Sequence, residues 1–155
     1  MTGKRIDHIR QLADSLGVKL NITKGLGTPN GSAEGSGEVR VRNWRGDLSS
    51  YFVALHELGH FAMQHVGRDP ELLRRNYAPR RLEAESEAWL WALKQAQERP
   101  SRKVQDRIRT EWLGSYASAR NTFPLGESGP AFSQMQFLGL VPRRSTSSTH
   151  SAQCR

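Results

Sequence analysis

Residues 51–66 read YFVALHELGHFAMQHV, and this stretch decides the fold. Its apolar residues recur around nearly the whole circumference of a helix, which is typical of a helix buried on all sides. Three side chains that can cap a helix precede it, namely Asp47, Ser49 and Ser50, and Gly67 and Pro70 follow it. The sequence therefore predicts a central, buried helix over residues 51–66.

The pentapeptide His56-Glu57-Leu58-Gly59-His60 gives this helix its chemistry. Its two imidazoles lie four residues apart, so they share one helix face and can bind one metal ion, with the Glu57 carboxylate beside them. Zinc suits this set, because imidazole is a good zinc ligand and a catalytic site uses three protein ligands and an open position. Gly59 is expected to leave space beside the ion. Unliganded imidazoles in an apolar interior would be costly, which favours a metal site over two ordinary core histidines.

A third protein ligand is required, and the residues just after His60 do not supply one. The position six residues on, where metzincin peptidases place a histidine, holds Val66. His65 lies nine residues from His56, about 180° around a continuous helix. We expect His65 to point away from the metal, as a packed or exposed histidine at the helix end.

The next predicted helix carries three glutamates, Glu83, Glu85 and Glu87. Only Glu85 lies in register with the apolar stripe of that helix, which consists of Ala88, Trp89, Ala92, Leu93 and Ala96. A carboxylate at the head of an apolar face is costly unless a cation pairs with it, and a buried zinc ion would do so. The pattern predicts Glu85 as the third ligand, with Glu87 or Glu83 as alternatives and otherwise as solvated charges.

Shorter elements are predicted on both sides of the buried helix. Ahead of it, periodicity indicates a helix over residues 6–16, and alternation indicates strands over 18–23 and 38–44. Residues 25–37, with five glycines and a proline, are interpreted as a flexible loop. After it, helices are predicted over about 79–98 and from the capping Ser101 onward. Four residues give the last helix an apolar stripe, expected to face the core: Val104, Ile108, Trp112 and Tyr116.

The predicted organisation is one domain over residues 1–120 and a C-terminal extension over 121–155. Four apolar residues of the extension are expected to dock locally, namely Phe132, Phe137, Leu138 and Leu140. A polar, disordered tail is expected from about residue 143. The fold class is α+β, with a small antiparallel or mixed sheet packed on the buried helix and two to three further helices.

Charge and composition limit the class of protein. The formal net charge of +8 and the pI near 10.4 allow a nucleic-acid partner, but basic residues are interleaved with acids, so nucleic acid is possible and not favoured. The chain has no run of eighteen apolar residues and its start does not resemble a secretion signal. Cys154 is the only cysteine, which suits a reducing compartment. A cytoplasmic protein without a membrane partner is expected.

At the pentapeptide and the glutamate-bearing helix, the chain resembles the ImmA/IrrE family of gluzincin-like zinc metallopeptidases. That family has an HELGH helix and a second motif like E-x-E-A-N-x-F-A, which reads ESEAWLWA over residues 85–92 here. The resemblance covers roughly residues 5–98 and implies a minimal zincin-like domain with Glu85 as the glutamate ligand. Trp89 occupies the family's Asn position, and an indole cannot accept a hydrogen bond from a histidine. A carbonyl or another carboxylate must then orient His56 or His60.

The expected mechanism is peptide hydrolysis, with His56, His60 and Glu85 holding zinc and Glu57 acting as general base on a metal-activated water. The substrate is expected to lie beside the strand at residues 38–43 as an added strand.

A donor to the oxyanion is needed, and the sequence leaves four candidates open: Tyr77, His65, Tyr116 or an arginine. The resemblance implies a regulatory protease that cleaves a protein partner such as a transcriptional repressor. Two alternatives remain: a protease of DNA-bound proteins similar to SprT-like peptidases, and a zinc-stabilised interaction module without turnover.

Overall fold

The computed structural model describes residues 2–66, 81–119 and 129–141. Within these ranges the chain is α+β with a small mixed sheet, as the sequence predicts, and the sheet has three strands. The elements in chain order are α1 (Thr2–Leu16), β1 (Lys19–Lys24), β2 (Asn30–Glu34), β3 (Glu38–Trp44), α2 (Leu48–Ala62), α3 (Arg81–Gln95), α4 (Arg102–Arg107), a π-helical turn (Ile108–Trp112), α5 (Leu113–Ala119) and α6 (Pro130–Phe137). None of the described helices is long and apolar enough to cross a membrane.

The sheet has the order β1-β3-β2, so β3 is its central strand. β3 runs parallel to β1 and antiparallel to β2, and its Val39 and Val41 are fully buried. The interpretation of residues 25–37 as a loop was wrong, because β2 lies within them. β2 reads NGSAE and lacks the branched and aromatic residues that mark a strand; its pairing with β3 maintains it.

The central position of β3 also excludes the predicted substrate strand. Both edges of β3 are already hydrogen-bonded, to β1 on one side and to β2 on the other. A peptide therefore cannot pair with residues 38–43, and that prediction was wrong. The strand that lines the site is β2, whose described partner is β3 alone.

Helix α2 is central and buried, as predicted. Asp47 caps it by accepting hydrogen bonds from the backbone N–H and the hydroxyl of Ser50. The helix ends at Ala62, earlier than the predicted residue 66, because Gln64 adopts the left-handed region with φ of 59°. The chain then turns back on itself, and the N–H of His65 donates to the carbonyl of His60 at 2.8 Å.

Gly59 lets α2 and α3 approach each other closely. A Cβ atom at Gly59 would lie 2.7 Å from the carbonyl oxygen of Ala88, so any larger residue would push the two helices apart. The space that the sequence assigned to a metal ion is thus occupied by the backbone of α3. This contact brings Glu85, one turn from Ala88, within reach of the histidines of α2.

The helix after Ser101 contains a π-helical turn that sequence periodicity did not predict. Ser101 caps it as expected, and Val104 and Ile108 are buried. The next fully buried residue is Leu113, five positions after Ile108, so one extra residue enters the turn. Trp112 and Tyr116, predicted to face the core, are instead half-buried and line a cleft.

Part of the C-terminal extension packs against α3 through Glu83. The buried carboxylate of Glu83 accepts hydrogen bonds at 2.7–3.1 Å from the N–H groups of Gly129, Ala131 and Phe132, at the start of α6. Glu83 is 2% exposed, so its interpretation as a solvated charge was wrong. The interpretation failed because the residues that satisfy Glu83 lie more than forty positions away.

The four apolar residues expected to dock behave differently from one another. Phe132 and Leu140 are buried, whereas Phe137 is 88% exposed and Leu138 is also exposed. The predicted tail from about residue 143, the predicted helix start near Pro79 and the candidate Tyr77 lie outside the described residues.

Replacing Glu83 with alanine removes the acceptor that these three N–H groups share. Hydrogen bonds to a charged group contribute about 1.5–3 kcal/mol, so we expect Glu83→Ala to lower the free energy of unfolding by about 2–3 kcal/mol. Urea denaturation followed by tryptophan fluorescence measures it. Asp7→Ala, at an exposed position of α1, is the control and should change stability by under about 0.5 kcal/mol. Equal effects of the two variants would contradict this role of Glu83.

Candidate metal centre

The predicted ligands lie at one end of a cleft of about 540 Å³. Helices α2 and α3 form its base, β2 forms one wall, and the π-helical turn with α5 forms the other. Glu57 and the candidate ligands His56, His60 and Glu85 all line it. Secondary-structure elements from both sides of the undescribed segment at residues 67–80 therefore contribute to one site.

Both histidines point the same ring nitrogen at Glu85. The Nε2 atoms of His56 and His60 lie 2.9 and 3.5 Å from the same Oε2 atom of Glu85. The imidazole rings are 4.6 Å apart between centroids, and all three residues are buried. The sequence predicted this convergence from the helix register of Glu85.

The donor set fits a metal ion. The ligand atoms of His56, Glu57 and His60 lie within 4.8 Å of one another, so this buried group can hold a metal ion. Glu85 adds a carboxylate oxygen next to both imidazoles. Tetrahedral zinc with bonds of about 2.0–2.1 Å holds its ligand atoms about 3.3 Å apart, and the observed 2.9 and 3.5 Å distances lie on either side of that value.

The imidazoles and carboxylates of the site shift each other's pKa values. Burial alone would lower the pKa of His56, but hydrogen bonds to Glu57 and Glu85 outweigh it and raise the pKa to about 9. Burial alone would raise the pKa of Glu85, yet the hydrogen bond to His56 and the nearby His60 imidazole hold it well below its usual range. A metal ion at Nε2 of His56 would therefore compete with a proton for that nitrogen.

Trp89 positions His56 by stacking. The indole lies parallel to the imidazole, with centroids 4.3 Å apart and an interplanar angle of 14°. The ring of Trp112 also stacks on Trp89, with centroids 5.2 Å apart. The residue that replaces the Asn of the resembled family thus restrains the imidazole plane through its face, while Nδ1 of His56 faces Glu57 at 3.3 Å.

His60 has a different neighbour, which the sequence did not predict. Its Nδ1 lies 3.1 Å from Nδ1 of His65, and Nε2 of His65 lies 2.8 Å from Oε2 of Glu87. His65 is 2% exposed and does not line the cleft, so it supports a candidate ligand from behind. The sequence argument treated the helix as continuous to residue 66; because α2 ends at Ala62, His65 returns to His60. Glu87, predicted as a solvated charge or an alternative ligand, pairs with His65 and is partly buried.

Glu57 lies between the histidines and β2. A Cβ atom on Gly31 would come within 2.5 Å of Cγ of Glu57, so the glycine lets the strand lie directly over this carboxylate. Glu57 is buried and also lines the cleft, where a carboxylate can take a proton from a bound molecule. Sequence periodicity missed β2, although its glycine content is typical of close backbone approach.

Among the oxyanion donors considered from the sequence, Tyr116 lines the cleft. Burial raises the pKa of its hydroxyl, and the negative charge of Glu85 adds to the effect, so the hydroxyl keeps its proton. The guanidinium of Arg81 lies 5.2 Å from the centre of the Tyr116 ring. His65 contacts His60 and Glu87 instead of the cleft.

Comparisons with known proteins do not assign the chain to a family. No protein-family model, curated protein or solved structure matches the chain. The described residues include a buried group, His56, Glu57 and His60, that is able to hold a metal ion.

Proposed function

We propose that the protein is a zinc-dependent metallopeptidase with a minimal zincin-like domain. One observation carries the proposal: two buried Nε2 atoms converge on one oxygen of Glu85, and a second carboxylate, Glu57, lies beside them in a cleft. His56, His60 and Glu85 would hold the zinc. A group of this kind, with three ligands and one further carboxylate, is typical of sites for metal-assisted hydrolysis.

Zinc at this site would supply a Lewis acid and lower the pKa of a water molecule. Glu57 would take a proton from that water and later return it to the leaving amine. Its position suits both transfers, because it lies at the cleft and next to His56. The stacked Trp89 and Trp112 rings exclude water from one side of His56, which strengthens electrostatic interactions there.

A peptide substrate would lie along β2. This strand lines the cleft with Gly31 and Ala33, which carry no side chain and a single methyl group, so another backbone can come close. Its described pairing is with β3 on one edge. A substrate strand added to the other edge would be held by main-chain hydrogen bonds, and side chains alternating along the strand would provide selectivity.

The identity of the substrate rests on resemblance. We propose a regulatory protease that cleaves a protein partner such as a repressor, because the cleft is bordered by a strand beside which an extended chain could lie. The SprT-like and non-catalytic alternatives gain no support from the described contacts, and the experiments below distinguish turnover from metal binding alone.

Zinc content and Glu57→Gln test the proposal together. We expect about one zinc per chain in the wild type and in Glu57→Gln, with cleavage of a broad peptide library reduced at least about 10²-fold in the variant, since it lacks the base. Glu85→Ala should lose most of the zinc. Elemental analysis measures the zinc content. The control variant is Glu111→Gln, which removes another cleft carboxylate and should keep both zinc binding and cleavage.

Wild-type protein that binds no zinc would refute the proposal. Stoichiometric zinc without cleavage of any library peptide would favour the interaction module.

Tyr116→Phe tests the oxyanion donor. Loss of one such donor costs about 10²-fold in kcat in comparable sites, so we expect a fall of that order with KM and zinc content little changed. Ser115→Ala, also in the cleft wall, is the matched control, because its hydroxyl donates to the carbonyl of Trp112. An unchanged kcat in Tyr116→Phe would exclude Tyr116 from this role.

A further inference from the structure

We propose that His65 and Glu87 are positioning residues that hold His60 in the tautomer that binds metal; the proposal rests on the metal-site function above. Behind His60, away from the cleft, Nδ1 of His60, the two nitrogens of His65 and Oε2 of Glu87 form a continuous chain with distances of 3.1 and 2.8 Å. Each distance is that of a hydrogen bond.

The positions of the protons in this chain follow from its two ends. A carboxylate can only accept, so Nε2 of His65 must donate to Glu87. A neutral His65 then has a lone pair on Nδ1, which accepts the Nδ1–H of His60. With its proton on Nδ1, His60 has a lone pair on Nε2, the nitrogen that faces Glu85.

The opposite assignment leaves an unfavourable contact. If the single proton of a neutral His65 were on Nδ1, its Nε2 lone pair would face the Glu87 carboxylate at 2.8 Å, two acceptors in contact. His60 would then carry its proton on Nε2 and could not bind a metal through that atom. Glu87 therefore selects the metal-binding tautomer of His60 through His65.

The fold fixes both ends of the hydrogen-bonded series from His60 through His65 to Glu87. His65 follows the left-handed Gln64, and its own N–H donates to the carbonyl of His60 at 2.8 Å, which sets the ring beside its target. Glu87 is on α3, two residues after Glu85. One helix thus supplies both a candidate ligand and the acceptor that orients another ligand.

The candidate ligands His56 and His60 also differ in the carboxylate to which their Nδ1 atoms are connected. Nδ1 of His56 faces Glu57, the proposed base, whose charge state changes during turnover. His60 is served by Glu87, which does not line the cleft and takes no part in proton transfer to substrate. The orientation of His60 is therefore independent of the catalytic proton.

Zinc affinity, measured by competition with a chelator, tests the proposal. Removing a partner behind a metal-binding histidine typically weakens binding 10–100-fold, so we expect that loss in His65→Phe and in Glu87→Leu. Glu87→Gln keeps an acceptor oxygen and should recover most of the affinity. Glu111→Leu, the same substitution at a cleft carboxylate that pairs with Arg107, should stay within about twofold of wild type.

A double-mutant cycle separates positioning from general stability. If Glu87 affects zinc binding through its contact with His65, adding Glu87→Leu to His65→Phe should weaken zinc binding no further than His65→Phe alone. Cobalt substituted for zinc should show an altered visible absorption spectrum in both single variants, and urea denaturation of the metal-free proteins checks that they fold.

The possible outcomes are distinct. Wild-type protein without zinc would overturn the metal site and this proposal together. Wild-type zinc binding with single variants of unchanged affinity and cobalt spectrum would overturn the positioning role and leave the metallopeptidase proposal standing. Multiplicative losses in the double variant would also overturn it.

Discussion

The close contact between α2 and α3 is the constraint on which the site depends. Gly59 has no side chain, so the backbone of α3 at Ala88 packs directly against α2. One turn before Ala88, Glu85 then reaches both histidines, and Glu87 on the same helix reaches His65. A single missing Cβ atom therefore sets the register between two helices that carry almost every polar group of the centre.

Burying so many polar groups is costly unless each finds a partner. Here carboxylates and imidazoles form one connected series, from Glu57 through His56 and Glu85 to His60, and on through His65 to Glu87. Hydrogen bonds to Glu57 and Glu85 raise the pKa of His56 to about 9, so these carboxylates favour a positive charge on the imidazole between them. A cation at the same place would take over that role, so the protein interior is already adapted to a positive charge between these side chains.

The sequence predicted those parts in which local pattern and tertiary structure agree. The strand Glu38–Trp44, the buried α2, its Asp47 cap and the convergence of Glu85 on the histidines follow from periodicity and register. Features set by distant contacts could not be predicted. The polar strand β2 forms because it pairs with β3, and the buried carboxylate of Glu83 accepts hydrogen bonds from α6. The position of His65 depends on the left-handed conformation of Gln64, which the sequence pattern of α2 does not indicate.

The π-helical turn at Ile108–Trp112 determines which residues form the far wall of the cleft. Each helical residue turns the chain by about 100°, so deleting the one extra residue would rotate everything after it by that angle. Trp112 would then leave Trp89, and Tyr116 would leave the cleft, with no change in their identity. The shape of this wall thus depends on how many residues the turn contains as well as on which residues they are. A one-residue insertion or deletion there would change which side chains face the cleft, and with them its binding preference.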